Sequence, residues 1–358
     1  MLRPIRVLIV DDSALVREIL TKALAMDKSI EVVGDAQDPY EARDKIVRLT
    51  PDVMTLDVEM PRMDGVEFLR RLMPQYPIPV IMVSALTQKG KKITLDSLAL
   101  GAVDFVAKPS GDLARGLTPM IAELLIKIKV AATVDLSYWK QVRANPQPCR
   151  PQPANNALPE STNKVIAIGA STGGTEAIKE VISRFPLNIP GVVIVQHMPA
   201  GFTNLYAETL NTQYKLQVKE AVTGDKVMPG RVLIAPGGKQ MTVKRSGGEY
   251  RVNCFRDNKV CGHAPSVEVL MQSVAKNVGA NAVGIILTGM GSDGAEGMLA
   301  LREAGGRTLA QDEATSVVFG MPRMAWEKGG VEKLVPLGEM ADEVIRILSR
   351  KSTPCKTI

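Results

Sequence analysis

Histidine, aromatic residues and long apolar runs are all scarce in this chain of 358 residues. Aromatic residues make up 4% of the sequence, so the cores must be built mainly from aliphatic side chains. No run of eighteen apolar residues occurs, and we therefore expect no membrane insertion. The four cysteines lack metal-site spacing and the amino terminus lacks the pattern of a signal peptide, so we expect a cytoplasmic protein with reduced thiols.

The length and the charge distribution indicate two domains rather than one. Residues 1–134 carry 18 basic and 18 acidic side chains, whereas residues 164–358 carry 23 basic and 18 acidic ones. The basic excess of the second half is dispersed, unlike the cluster of a DNA-reading helix, so no nucleic-acid partner is expected. It is either an ordinary solvated surface or a source of attraction for an acidic protein substrate.

The first 134 residues alternate short apolar segments with stretches of helical spacing. Strands are predicted at 5–10, 31–35, 52–57, 79–84 and 103–107. Helices are predicted at 14–26, 39–49, 65–73, 91–100 and 113–130. This alternation predicts an α/β domain with a doubly wound, flavodoxin-like parallel sheet, in which ligands bind beyond the carboxyl ends of the strands.

A proline-rich segment separates this domain from a second α/β pattern. Residues 146–159 contain five prolines and little apolar periodicity, which predicts a linker over residues 135–163. The pattern of residues 164–349 predicts a Rossmann-like, doubly wound domain with a hairpin insertion, followed by a tail at 350–358. Strands of this second domain are predicted at 164–170, 192–196, 232–236, 241–245 and 283–288.

Charged and hydroxyl side chains follow the predicted strands of the first domain. Asp11 and Asp12 follow the first strand, Asp57 ends the third, Ser84 ends the fourth, and Lys108 comes just after the fifth. In a doubly wound sheet they converge on one edge, where crowded carboxylates repel unless a cation such as Mg²⁺ shares them. A carboxylate there can be the nucleophile for a phosphoryl group, with the Lys108 ammonium offsetting negative charge on its oxygens. Alternatively, each of these acidic residues only ends a strand or caps a helix. This alternative is strongest for Asp12.

This first domain resembles the response-regulator receiver family over its full length. The matching motifs are VDDS (10–13), LDVEMPRMDG (56–65), VSAL (83–86) and DFVAKP (104–109). The resemblance implies that a sensor histidine kinase phosphorylates Asp57. It also implies that Mg²⁺ is held by Asp12, Asp57 and the carbonyl group of Glu59, with Asp11 in support.

The same resemblance implies a conformational switch. Ser84 and Phe105 are expected to change position on phosphorylation, and Lys108 belongs to the same set. The Lys108–Pro109 peptide bond is expected to be cis. The receiver motifs by themselves leave the output of the switch unknown.

In the second domain a serine lies between a strand and a helix, in the segment IAIGASTGGTEAI (166–178). Gly169 to Gly173 fit the pattern G-x-S-x-G, in which a sharp turn exposes a nucleophilic hydroxyl, here that of Ser171. Small neighbours are needed because the backbone turns tightly and approaches the substrate. The helix N-terminus offers amide donors and a favourable field for a developing oxyanion.

Ser171 needs a base, and the chain offers only His197 and His263. His197 follows the predicted strand VVIVQ and is the preferred candidate, whereas His263 precedes a predicted helix, where a capping or packing role fits. Asp293 lies in a glycine-rich loop after another predicted strand and could orient the imidazole and stabilise it when protonated. The alternative for Asp293 is that it caps the helix starting near Gly294.

A dinucleotide-binding loop is the other interpretation of the GASTGG segment. Ser171 stands where the second glycine of G-x-G-x-x-G belongs, and Gln196 and His197 occupy the end of the next strand instead of an acidic residue. The chain order Ser, His, Asp also differs from the order Ser, Asp, His of ordinary α/β-hydrolases, so a lipase-like domain is not expected.

Residues 164–349 closely resemble the catalytic domain of the CheB family, the protein-glutamate methylesterases of chemotaxis. The matching motifs are GASTGGTEA, VQHMPAGFT, APGG, PSVEVL, LTGMGSDGAEGM and AQDEATSVVFGMPR. The resemblance implies that Ser171, His197 and Asp293 form a triad. It also implies an oxyanion hole of backbone amides near Thr172 and Met290, with no cofactor in this domain.

With the receiver and the linker in the expected order, the resemblance covers nearly the whole chain. It implies a phosphorylation-activated hydrolase that removes methyl esters from glutamates on the cytoplasmic helices of chemoreceptors and deamidates receptor glutamines. The implied phosphodonor is the kinase CheA. Two other functions stay open: the second domain could only bind a partner, or it could be an esterase for small metabolites, which would need a deep apolar cleft instead of a shallow groove.

Overall fold

The computed structural model describes residues 3–84, 87–109, 113–134 and 163–349. The chain divides into two compact units, residues 1–147 and 148–358. Residues 135–162 of the predicted linker and the predicted tail at 350–358 lie outside the described residues, so the domain boundaries stay predictions. Within the described ranges, no helix combines the length and the apolar character needed to cross a membrane.

The first unit is a five-stranded parallel sheet with a helix after each strand. Its strands are β1 (Ile5–Val10), β2 (Ile30–Ala36), β3 (Val53–Asp57), β4 (Val80–Ser84) and β5 (Asp104–Ala107). Its helices are α1 (Ala14–Leu24), α2 (Pro39–Leu49), α3 (Gly65–Gln75), α4 (Gln88–Ala99) and α5 (Leu113–Ala131). The spatial order is β2-β1-β3-β4-β5 with every pair parallel, which confirms the predicted flavodoxin-like, doubly wound sheet.

Local chemistry sets both the helix starts and the strand composition of this unit. The side chain of Ser13 caps α1 by accepting from the N–H of Val16, so the capping residue at this turn is Ser13 rather than Asp12. Every residue of β3 and of β4 is buried, because helices cover both faces of the sheet. Asp57 and Ser84, the last residues of β3 and β4, lie at the carboxyl edge of the sheet.

The second unit is built on a seven-stranded parallel sheet. Its strands are β6 (Val165–Ala170), β7 (Gly191–Gln196), β8 (Gln217–Glu220), β9 (Lys226–Val227), β10 (Arg231–Ile234), β11 (Gln240–Ser246), β12 (Glu249–Phe255), β13 (Ala282–Ile286), β14 (Arg307–Gln311) and β15 (Lys333–Val335). Its helices are α6 (Gly174–Ser183), α7 (Phe202–Gln213), α8 (Val267–Asn277), α9 (Ala295–Glu303), α10 (Met321–Glu327) and α11 (Leu337–Ser349). The order of the main sheet is β15-β14-β13-β6-β7-β10-β8, which confirms the second doubly wound domain.

The remaining strands form the predicted hairpin insertion. β11 and β12 pair antiparallel, and β9 pairs with β12. Two side chains of α8 fasten the hairpin at Val243: Ser273 Oγ accepts its N–H at 2.9 Å, and Asn277 donates to its carbonyl at 3.0 Å. The sequence patterns missed β8, β14 and β15, which are short strands at or next to the ends of the main sheet, where long apolar runs are not required.

Candidate functional site

Three aspartates meet at the carboxyl edge of the first sheet. Asp11 and Asp12 follow β1 and Asp57 ends β3, and one carboxylate oxygen from each lies within 4.8 Å of the others. Asp11 and Asp57 are buried while Asp12 is exposed, so the cluster opens to solvent on one side. This donor set consists only of oxygens, which fits a hard divalent cation such as Mg²⁺. Glu59, whose carbonyl is the expected fourth ligand, lies two residues beyond Asp57 on the same loop.

Lys108 offsets part of the negative charge of the two buried aspartates. Its ammonium lies 2.8 Å from Asp11 Oδ2 and 2.9 Å from Asp57 Oδ2, and its backbone N–H donates to the Ser84 carbonyl. Burial raises the pKa of Asp57 to about 6, against the opposing attraction of Lys108. The pKa of Lys108 is raised as well, because its two carboxylate partners outweigh the effect of its own burial.

The expected switch residues lie at the neighbouring strand ends. Ser84 is fully buried, and its hydroxyl accepts a 2.7 Å hydrogen bond from Thr94 of α4. Phe105 is buried in β5, and the Lys127 ammonium of α5 lies 5.4 Å from the centre of its ring and donates to its carbonyl at 2.5 Å. Ser84 thus links Lys108 of the acidic pocket to α4, and Phe105 contacts α5. Their movement on phosphorylation stays a prediction.

One expectation about this edge is wrong. The cis peptide bond within the described residues is Ala264–Pro265, and Lys108–Pro109 is not cis. An X–Pro bond favours the trans form by roughly 0.5–1 kcal/mol unless its surroundings select the other isomer. The contacts of Lys108 with the two buried aspartates are made here with the trans bond.

In the second unit Ser171 follows β6 at the start of a tight turn. Its N–H donates to the Thr288 carbonyl at 3.0 Å, and its own carbonyl accepts from the N–H of Gly174 at 2.7 Å. Gly173 has a φ of 77°, and a Cβ atom there would lie 2.7 Å from the side chain of Val317. The glycine is therefore required by both backbone conformation and space. The turn presents Ser171 at the N-terminus of α6.

His197 follows β7, the strand beside β6. Its N–H donates to the Ala170 carbonyl, which places it next to the Ser171 turn. Its Nε2 atom lies 2.7 Å from Asp293 Oδ2, and the His197 side chain is only 7% exposed. A carboxylate can only accept, so a neutral His197 carries its proton on Nε2 and keeps a lone pair on Nδ1. Within the described part of the chain, this buried Nδ1 has no hydrogen-bond partner.

Asp293 completes the cluster from the loop after β13, the other neighbour of β6. It is 2% exposed and accepts from Ser266 Oγ at 2.7 Å and from the N–H groups of Val267 and Glu268 at 2.8 and 3.0 Å. Burial alone would raise the pKa of Asp293, but the bonds from His197, Ser266 and Glu268 outweigh burial and hold it below its usual value. Asp293 therefore accepts from backbone donors at the N-terminus of α8, whereas α9 has Gly294 as its N-cap residue and no side-chain cap.

The residues expected to supply oxyanion donors lie on both sides of Ser171. Thr172 follows it directly and is buried, and its carbonyl accepts from the Thr288 hydroxyl at 3.0 Å. Met290 belongs to the loop between β13 and Asp293. In this loop a Cβ atom on Gly289 would lie 2.7 Å from the Ser171 Cβ, so only glycine lets the loop approach the serine this closely. The assignment of Thr172 and Met290 as donors stays a prediction.

Three contacts around the site escaped the sequence analysis. The His263 ring stacks on the His197 ring, with 3.6 Å between the ring centres and 9° between the planes. Gln196 donates to the Ser171 carbonyl at 2.9 Å, and Gln311 accepts from the Thr288 N–H at 2.8 Å. Gln196 ends β7, which the sequence predicted, so its position at a strand end was a usable signal, whereas Gln311 ends β14, which the sequence patterns missed. The stacking of two histidines 66 residues apart left no local signal.

Two sequence families match this chain. The model of the CheB methylesterase family matches residues 166–344, and that of the response regulator receiver domain matches residues 7–116. A protein-glutamate methylesterase/protein-glutamine glutaminase of Syntrophotalea carbinolica is 65% identical over 349 residues, covering 98% of this chain and 99% of the relative. A protein with the same description from Sulfurimonas denitrificans is 51% identical, covering 97% and 99%.

A solved structure also matches the second unit. The crystal structure of the Thermotoga maritima CheB methylesterase catalytic domain is similar with a TM-score of 0.51 and 35% identity. The match covers 52% of this chain and the whole of that domain.

Proposed function

This chain belongs to the CheB family of protein-glutamate methylesterases and protein-glutamine glutaminases, and we propose that it acts on chemoreceptors through a triad of Ser171, His197 and Asp293. The membership makes it a carboxylic ester hydrolase with a receiver domain. The proposed substrates are methylated glutamates on the cytoplasmic helices of the receptors, and the enzyme would meet them in the cytoplasm. A domain that only binds a partner is not compatible with this membership.

The contact between Asp293 and His197 is the observation that supports the triad most directly. Both side chains are buried, and the 2.7 Å hydrogen bond joins a carboxylate of lowered pKa to the imidazole beside Ser171. An ionised carboxylate held there favours a positive charge on the ring, which a base acquires when it takes a proton. Because both side chains are largely removed from solvent, this attraction is stronger than it would be in water.

Ester hydrolysis would then proceed in two halves. The Nδ1 lone pair of His197 takes the hydroxyl proton of Ser171 while Oγ bonds to the ester carbonyl carbon, and the oxyanion accepts from the N–H groups of Thr172 and Met290. The carbon–methoxy bond breaks and methanol leaves with the proton from His197. Water, deprotonated by the same nitrogen, then attacks the acyl-enzyme and releases Ser171 and the glutamate carboxylate.

The glutaminase reaction follows from the same intermediates. A receptor glutamine presents an amide carbonyl to Ser171 in place of the ester. The tetrahedral intermediate expels ammonia instead of methanol, with His197 again returning the proton. The acyl-enzyme is identical in the two reactions, so both require the same three side chains.

In the receiver, Asp57 would accept the phosphoryl group from a CheA-type histidine kinase. Mg²⁺ held by Asp12, Asp57 and the Glu59 carbonyl, with Asp11 in support, would offset the negative charge of the transferring group. Lys108 already contacts Asp11 and Asp57 and is placed to pair with the phosphoryl oxygens. Phosphorylation would activate the esterase through the switch residues Ser84, Phe105 and Lys108.

Methanol release from receptor-containing membranes with labelled methyl esters tests the esterase. Ser171→Ala should lower the rate by several orders of magnitude, because the nucleophile is lost. Ser183→Ala is the matched control, since its hydroxyl only donates to the Glu180 carbonyl at the far end of α6. Near-normal methanol release by the Ser171 variant would exclude the proposed nucleophile. Equal hydrolysis of a small soluble methyl ester would favour a metabolite esterase.

A further inference from the structure

The faces of the His197 and His263 rings lie against each other. The ring centres are 3.6 Å apart and the planes are inclined by 9°, so the contact covers one side of the His197 ring. We propose that His263 is a positioning residue of the esterase, which holds the His197 ring in the plane that joins Asp293 to Ser171. This inference rests on the proposed function, because it assigns His197 as the base.

The His197 ring needs such a support because its hydrogen bond fixes one edge only. Nε2 is held by Asp293 at 2.7 Å, while Nδ1 has no hydrogen-bond partner within the described residues. The torsion that turns a histidine ring is broad and lacks narrow staggered minima. In the proposed mechanism the Nδ1 lone pair takes the proton of the serine hydroxyl, and turning about this torsion would change the direction of that lone pair. A flat group against the ring face opposes that motion.

His263 is itself held by a tight turn. Its N–H and carbonyl exchange hydrogen bonds of 2.9 and 3.0 Å with Val260. The two residues at the tip, Cys261 and Gly262, have φ values of 51° and 83°, as the mirror-image turns of hairpins require. The backbone of His263 is therefore fixed relative to Val260 within this turn.

One buried side chain joins this turn to the triad acid. Gln240 is 1% exposed; its Nε2 donates to the His263 carbonyl at 3.1 Å and its Oε1 accepts from the Ser266 N–H at 2.9 Å. Ser266 in turn donates to Asp293 at 2.7 Å. The stacked ring and the carboxylate are thus placed by the same short segment, and they restrain His197 from its face and from its edge.

If His263 only positions the His197 ring, residue 263 needs a flat side chain but no titratable group. His263→Phe keeps a flat ring but cannot carry a proton, whereas His263→Leu keeps much of the apolar bulk without the flat face. We expect the Phe variant to keep most of kcat and the Leu variant to lose about tenfold in kcat, since misplacement of a catalytic group slows the reaction without weakening binding. KM for the receptor ester should stay unchanged in both.

The experiment measures kcat and KM for methanol release by the full-length protein and its His263→Phe, His263→Leu, His263→Ala, His197→Ala and Ser171→Ala variants, with thermal unfolding of each. If the His263→Ala variant fails to fold, the kcat values of the His263→Phe and His263→Leu variants still test the positioning role. Equal kcat for the Phe and Leu variants would overturn the inference, as would a loss at His263 as complete as at His197. The Ser171→Ala variant separates a failure of the proposed function from a failure of the positioning role. If the Ser171→Ala variant is active, the proposed function is contradicted. If it is inactive and every His263 variant keeps the wild-type kcat, only the positioning role is contradicted.

Discussion

The hydroxyl of Ser266 donates a 2.7 Å hydrogen bond to Asp293 Oδ1, so the residue that caps α8 also holds the acidic member of the proposed triad. Loss of this hydroxyl leaves a buried carboxylate with one donor fewer. Bonds to a charged group of this kind contribute roughly 1.5–3 kcal/mol. Ser266→Ala should therefore lower the free energy of unfolding by roughly this amount and reduce kcat while Asp293 keeps its bond to His197.

Urea unfolding followed by the fluorescence of Trp326 in α10 measures the first effect, in a background where Trp139, the other tryptophan, is replaced by Phe. Ser266→Thr is the matched control, because it keeps the donor. An Ala variant as stable as the Thr variant would mean that the backbone donors of α8 hold Asp293 without the hydroxyl.

Asp293 should make the second unit sensitive to acid. Its folded-state pKa lies below the ordinary value of 3.8, so in the interval between the two the unfolded chain binds a proton that the folded chain does not. Its stabilising contribution is complete above about pH 3.8 and is lost as the pH falls through the folded-state pKa. In Asp293→Asn the group no longer titrates.

The stability difference between wild type and Asp293→Asn should therefore be largest near neutral pH and should shrink below about pH 3.8. Unfolding monitored by Trp326 at a series of pH values gives both curves. The Asn variant should also lose several orders of magnitude in kcat, because the orientation and charge at His197 are lost. A stability difference that grows as the pH falls would contradict the lowered pKa.

Asp57 should be the phosphoryl acceptor of the receiver. Asp57→Asn should abolish labelling by a small phosphodonor in the presence of Mg²⁺, because an amide is not a nucleophile for this transfer and one charged metal ligand is lost. Asp44→Asn, on the exposed side of α2, is the control and should label normally. Undiminished labelling of the Asp57 variant would move the acceptor to Asp11 or Asp12.

Phosphorylation should increase ester hydrolysis by relieving inhibition. We expect the unphosphorylated receiver to inhibit the esterase, because the family resemblance implies a hydrolase that phosphorylation activates. Each tenfold rise in the ratio of active to inhibited enzyme corresponds to about 1.4 kcal/mol in favour of the active state. A small phosphodonor should raise methanol release by wild type but not by Asp57→Asn.

A fragment starting near Asn163 is the complementary test of this inhibition. It should hydrolyse receptor esters faster than the unphosphorylated full-length protein. A fragment that folds and binds receptors but is no faster would favour direct activation by the phosphorylated receiver instead of relief of inhibition.

The sequence by itself determined the two parallel sheets and the edge at which each candidate site lies. Strands that alternate with helices predict a parallel sheet, and parallel strands bring their carboxyl ends together. Asp57 and Lys108, or Ser171 and His197, could therefore be placed at one edge without coordinates. The short edge strands β8 and β15 were missed, because three or four residues are too few to show a period.

Only the tertiary structure decided how the side chains at the esterase site meet. Asp293 binds the N-terminus of α8, His197 bonds it through Nε2, and His263 stacks on His197. These contacts join segments far apart in sequence, and their geometry depends on how the hairpin insertion and α8 pack beside the main sheet. Local periodicity carries no information about such packing, because it records which face of an element is buried and not which distant residue buries it.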